Sequence, residues 1–256
     1  MGASKSWDLR DLLDAWPFDP DNDARLVSVT GGRQVLQVRT PLGVEQHELD
    51  GRPDGARPYG MESALEHFQQ QLVRARAQGK EADFQLSAEA CAELFNEGTL
   101  YYFRYHRLFQ LQDWARTIRD TSRNLRAFDL IRHYAEDEDD RTYLEQWRPY
   151  VLRVHATARA MQELEKNRHQ HALEAIKETI NQIESLEDLD EDTFQFERER
   201  SLTTLRELHD QIERKRPLTA LERLERQLEK AIQRQDFERA ASLRDKIREL
   251  RRQCIC

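Results

Sequence analysis

The chain has 256 residues, 38% of them hydrophobic and 34% charged, with a net charge of −8 and only three cysteines. That length allows one or two domains with a sizeable core, while the acidic balance argues against broad attraction to nucleic acid or to an anionic membrane. Three cysteines do not make a disulfide framework, and no stretch approaches the roughly 20 apolar residues of a membrane span.

Ser6 is placed to cap a short first helix with the apolar face Leu9, Leu12, Leu13 and Trp16, ended by Pro17. Asp8, Asp11 and Asp14 interrupt this segment, so it is not a signal peptide and the protein reads as cytoplasmic, with no membrane partner. Three short extended runs follow, at 25–30, 33–40 and 44–49. Gly31-Gly32 gives a two-residue hairpin signal and Pro41-Leu42-Gly43 a second turn. Three strands alone are marginal, so the meander is expected to pack on the next helix, over 61–77. Residues 50–60 are dense in Gly, Pro and Arg, which suits a rigid connector or a binding loop.

From Met61 the chain reads as helical almost throughout. Leu65, Phe68, Leu72 and Ala75 mark one face, and Gly79 is the stop. Ser87 caps the next helix, which carries the run Tyr101-Tyr102-Phe103-Arg104-Tyr105, expected in the core. The stretches 108–118 and 161–173 resemble helix–turn–helix junctions of tetratricopeptide repeats, although their spacing exceeds the about 34 residues of regular repeats. Glu136 to Asp140 should be a solvated loop, and a second acidic stretch, 184–192, precedes a helix bearing Leu202, Leu205, Leu208 and Ile212.

The last segment has the clearest pattern. Thr219-Ala220-Leu221-Glu222 has capping-box spacing, and Leu221, Leu224, Leu228, Ala231 and Ile232 make one narrow apolar stripe. Asp236 caps a second helix whose buried face is expected to be Phe237, Ala240, Ala241, Leu243, Ile247 and Leu250. So short a connector makes the pair antiparallel. The chain is thus read as mainly α with a small N-terminal antiparallel β-meander (α+β). Degenerate TPR-like helical pairs lead to a C-terminal antiparallel helical hairpin, with divisions at 1–60, 61–217 and 218–253.

Residues 228–247, and above all Asp236-Phe237-Glu238 with Ala240-Ala241 and Leu243-Arg244-Asp245, resemble the UvrB/UvrC (UVR) motif. Ile232 stands where that family often has alanine. Residues 16–20 and 48–55 also resemble the N-terminal part of uncharacterised bacterial proteins that end in such a motif. The resemblance implies protein docking, including self-association. It assigns partner contact to Leu221, Leu224, Leu228, Ile232, Phe237, Ala240, Ala241, Leu243, Arg244, Asp245, Ile247 and Leu250, and it implies a link to DNA repair or protein quality control.

No catalytic, cofactor-binding or metal-binding constellation is legible. His169 and His171, two apart, point to different sides of a helix, and Cys254 and Cys256 supply too few thiolates for a structural zinc. The reading is a non-catalytic adaptor that docks on a protein partner, with a homodimer contact open. The alternative is a nucleic-acid-binding accessory factor of excision repair. Residues 218–252 hold 10 Lys/Arg against 7 Asp/Glu, and an excess of +3 interleaved with acids suits a solvated face better than a phosphate track.

Overall fold

A computed structural model describes residues 8–218 and 220–253 of the chain. The order is α1 (Arg10–Ala15), β1 (Ala24–Ser28), β2 (Gln34–Thr40), β3 (Gly43–Glu48), α2 (Ala64–Ala77), α3 (Ala88–Gln110), α4 (Trp114–Tyr134), α5 (Glu138–Tyr143), α6 (Arg148–Glu165), α7 (His169–Glu184), α8 (Asp192–Lys215), α9 (Ala220–Gln233) and α10 (Phe237–Gln253). Contacts group the chain into one unit through His209 and a second from Asp210. The expected mainly helical chain with a small antiparallel sheet is what forms. Ser6 and Thr219, the expected caps, lie outside the described residues, as do Cys254 and Cys256.

The sheet is an antiparallel meander in the order β1-β2-β3, with Leu36 opposite Leu26 on one side and His47 on the other. Its first turn is one residue longer than expected. The Val29 N–H still donates to the Arg33 carbonyl at 2.7 Å, which leaves Thr30, Gly31 and Gly32 as the loop. Both glycines have positive φ, +85° and +77°, conformations that L side chains rarely adopt. Pro41-Leu42 makes the second turn, because Thr40 already pairs with Gly43.

The central strand is covered on both faces. Leu36 and Val38 join Ala24, Leu49 and Leu108 in one core cluster, with Leu111 against it. On the other face Arg39 donates Nε to the Trp16 carbonyl at 2.7 Å, and Arg25, opposite Gln37, lies over the Trp16 ring at 3.8 Å. The α1 segment therefore reaches the sheet through Trp16, while Leu9 and Leu12 of its expected apolar face stay exposed. Leu108 lies in the last turn of α3 and Leu111 is the residue that ends it, so this cluster covers the sheet with α3 and not with the 61–77 helix as expected. That helix spends its apolar face elsewhere: Leu65, Phe68 and Leu72 pack with Leu94, Ala127, Leu130 and Ile131 of α3 and α4.

Local chemistry sets the helix ends. Ser63 Oγ accepts from the Glu66 N–H and starts α2 at Ala64. Past its end the Lys80 N–H donates to Ala75 and the Gly79 N–H to Arg76, the paired bonds that a left-handed Gly79 (φ +69°) permits. Ser87 caps α3 by accepting from the Ala90 N–H. Asp137 caps α5, so part of the acidic stretch expected as loop is a helical turn. The 50–60 segment is anchored to the body: Pro53 is buried, its carbonyl accepts from the Glu48 N–H at 2.8 Å, and Arg52 pairs with Asp54 and Glu97.

The aromatic run on α3 divides between core and surface. Tyr101, Arg104 and Tyr105 are buried, three and four residues apart, whereas Tyr102 and Phe103 are exposed at 38% and 49%. Consecutive helical residues point about 100° apart, so five in a row cannot share one core face. Arg104 is held in the interior by Asp120 of α4, with Nε to Oδ2 at 2.6 Å and Nη2 to Oδ1 at 2.9 Å. Its Nη1 donates to the carbonyls of Glu48 and Gly51, which ties the end of the sheet to α3.

Three helix pairs are joined by the same link. Gln112, Asn167 and Gln235 sit at φ +59°, +57° and +57°, and in each case the next residue's N–H returns 2.9 Å to a carbonyl five residues back: Leu108, Glu163 and Ala231. This closes the first helix and reverses the chain in two residues. The α3–α4 and α6–α7 junctions singled out in the sequence are two of the three.

His155 on α6 is mostly buried and hydrogen-bonded with Thr121 Oγ1 of α4 at 2.9 Å; burial, reinforced by Arg159, pushes its pKa down to about 4. An unfolded histidine titrates near 6.5, so the unfolded chain binds the extra proton first as pH falls. The stability this neutral ring contributes is complete above about pH 6.5 and is lost on acidification toward 4, up to about 3 kcal/mol. Denaturant melts at pH 7 and pH 4.5 should show that loss in the wild type and a smaller one in His155→Gln. Equal pH dependence in both would contradict the assignment.

Candidate functional site

The unit from Asp210 onward is built on α9 and α10, which pack against each other. At their junction Gln235 takes the left-handed conformation, and the Asp236 carboxylate then accepts from the Arg239 N–H at 3.1 Å to open α10. The close approach relies on small residues: Ala231 and Ala240 are buried with Leu243, and Leu224 and Leu228 pack against them. The start of the hairpin is clamped by Arg216. Its Nη1 meets Glu222 Oε2 at 2.7 Å, its Nη2 also bonds Glu222, and its Nε meets Glu213 Oε2 at 2.9 Å. These bonds, Glu222 first, raise the Arg216 pKa further. No sequence reasoning had singled out this clamp, although its signal was visible as an arginine between glutamates three residues before and six after.

The twelve residues expected to meet a partner fall into three groups. Ala240, Leu243 and Ile247 are buried, the first two in the core of the hairpin, which removes them from any outer surface. Leu221, Leu224, Leu228 and Leu250 are half-buried along its apolar seam. Ile232, Phe237, Ala241, Arg244 and Asp245 are exposed.

Two of those positions correct the sequence reading. Phe237 was expected on the buried face of the second helix; it is 71% exposed. As the first residue of α10 it stands beside the turn, before the helix has a preceding coil to pack under. Ala241 was also expected inside and is exposed, since Ala240 takes the inward position. Ile232, at 54% exposure, lies just before the turn as Phe237 lies just after it. The closed end of the hairpin thus carries two large apolar side chains that the hairpin's own core does not use.

Elsewhere among the described residues, no group of three or more His, Cys, Asp or Glu side chains is arranged to hold a metal ion. Burial pushes the Cys91 thiol up to about 12, which keeps it protonated and unreactive at neutral pH. No helix of the described residues is long and apolar enough to cross a membrane.

Residues 219–253 match the family model described as the UvrB/uvrC motif, which covers α9 and α10. Comparison with curated proteins and with solved structures gives no match.

Proposed function

We propose that the protein is a non-catalytic adaptor that docks on another protein through its C-terminal hairpin, in a setting of DNA repair or protein quality control. The observation that carries this reading is the pair Ile232 and Phe237, exposed on either side of the turn of a hairpin whose core is already filled by Ala231, Ala240 and Leu243. Exposing so large an aromatic at a hairpin tip costs solubility, and burial against a partner would recover it. The motif match supports the reading, because proteins with this motif use it for interactions. A second copy of the chain is one candidate occupant, and no cofactor is required.

Affinity capture with the full chain and with a chain lacking residues 218–256 tests the proposal. Loss of the captured protein, or of self-association, on deletion supports docking; an unchanged set and unchanged oligomeric state would contradict it. The second reading, direct nucleic-acid binding, rests on the +3 excess over residues 218–252. A mobility-shift assay at two salt concentrations separates them, since phosphate contacts weaken steeply with salt. The docking account expects no salt-sensitive shift.

A further inference from the structure

A cavity of about 340 Å³ in the first unit, lined by α2, α3, α4 and residues 50–51, has no part in hairpin docking. Four guanidiniums line it: Arg104 from α3, and Arg119, Arg123 and Arg126 from α4 at the three- and four-residue steps of one helix face. Two of them are fully engaged. Arg104 is taken by Asp120 and two carbonyls, and Arg119 by Asp120, Asp50 and the Leu49 carbonyl. The other two are not.

Arg123 is 5% exposed; it bonds Glu97 and Asn124, yet its Nε is buried with no acceptor. With its side chain only 6% exposed, Arg123 contributes positive charge to the cavity wall rather than a free donor. Its guanidinium lies over the Tyr101 ring at 4.3 Å, with Arg104 at 4.8 Å from the same ring, so both are held in place before anything binds. Arg126 is exposed and forms no ion pair or hydrogen bond among the described residues.

The acidic side of the cavity is also partly unspent. Asp50 and Asp120 are consumed by the arginines. Glu66 accepts one backbone N–H, from Glu62, through Oε2 at 3.0 Å, and the exposed Glu62 carboxylate takes no donor among the described residues. The charges left facing the cavity are therefore of both signs. A simple anion would meet Glu62 and Glu66, and a simple amine would meet Arg126. A ligand that carries both charges satisfies both sides.

We propose that this cavity binds a small zwitterion of the amino-acid class, its carboxylate against Arg126 in the positive field of the buried Arg123, and its ammonium toward Glu62 and Glu66. A cavity of this size is at the lower end of small-molecule sites, which suits a ligand of few heavy atoms. The backing pairs, Arg104 with Asp120 and Arg123 with Glu97, fix the wall, and the two exposed groups, Arg126 and Glu62, select the ligand.

The test uses the full chain, with free L-amino acids screened singly by thermal shift and then by calorimetry, and acetate, ethylamine and inorganic phosphate as single-charge controls. At least one amino acid is expected to raise the melting temperature while the three controls do not. Arg126→Gln and Glu62→Gln, both at exposed positions, should each weaken that binding about tenfold without changing the melting temperature of the unliganded protein. No response to any amino acid at about 10 mM would overturn the proposal. So would binding that survives both substitutions, or phosphate binding that Glu62→Gln leaves unaffected, which would define a plain anion site.

Discussion

Arg104→Ala should cost about 3–5 kcal/mol of folding stability and lower the melting temperature by on the order of 10 °C. The side chain is completely buried, and its four bonds go to both oxygens of Asp120 and to the carbonyls of Glu48 and Gly51. Truncation leaves a buried carboxylate facing Arg119 alone and two carbonyls without donors. The larger part of the cost is that stranded charge rather than the worth of the pair itself, since taking both ions out of water was expensive in the first place. The double change Arg104→Met with Asp120→Leu should therefore recover part of the loss. Thermal melts of the two variants check this. A wild-type melting temperature for Arg104→Ala would mean that the pair does not hold the sheet end to α3.

Leu243→Asp should unfold the C-terminal hairpin while leaving the first unit folded. Leu243 is 6% exposed and sits with Ala231 and Ala240, so a carboxylate there has neither water nor a donor. Even Leu243→Ala removes about 2–5 kcal/mol, more than two short helices can spare. Hydrogen exchange should show α9 and α10 amides losing protection while α3 and α4 amides keep theirs. Retained protection in α9 and α10 would show that the hairpin core lies elsewhere. Because this variant removes the fold of the hairpin, it cannot report on docking by itself.

The hairpin was legible because its determinants are local. A stripe at three- and four-residue steps and an aspartate able to cap the second helix both lie within a few residues of what they specify. The same locality explains the misplacement of Phe237. A stripe gives the helix face but not whether its first member, beside a turn, has anything above it to pack under. The Ala240-Ala241 pair shows the same limit, since adjacent small residues do not say which one turns inward.

The interior ion pairs were not legible, because Arg104 and Asp120 belong to different helices and each reads, in isolation, as a solvated charge. Only the α3–α4 turn at Gln112 brings them together. The packing of the sheet failed for a related reason. Its apolar residues required cover, but nothing local distinguished α2 from the distant end of α3, and α2 was already committed to Leu94 and Ile131. The cavity beside Arg123 depends on three helices at once and had no counterpart in the sequence reading.

The docking account is tested most directly by Phe237→Ala in the full-length protein. Phe237 is 71% exposed and outside the hairpin's core cluster, so the substitution should leave the helicity and melting of the hairpin almost unchanged. Quantitative affinity capture, with sedimentation to follow self-association, should nonetheless show partner binding weakened by at least about tenfold, as expected for an aromatic anchor in an interface. Undiminished capture and an unchanged oligomeric state, with the hairpin still folded, would contradict the claim that this tip is the docking surface.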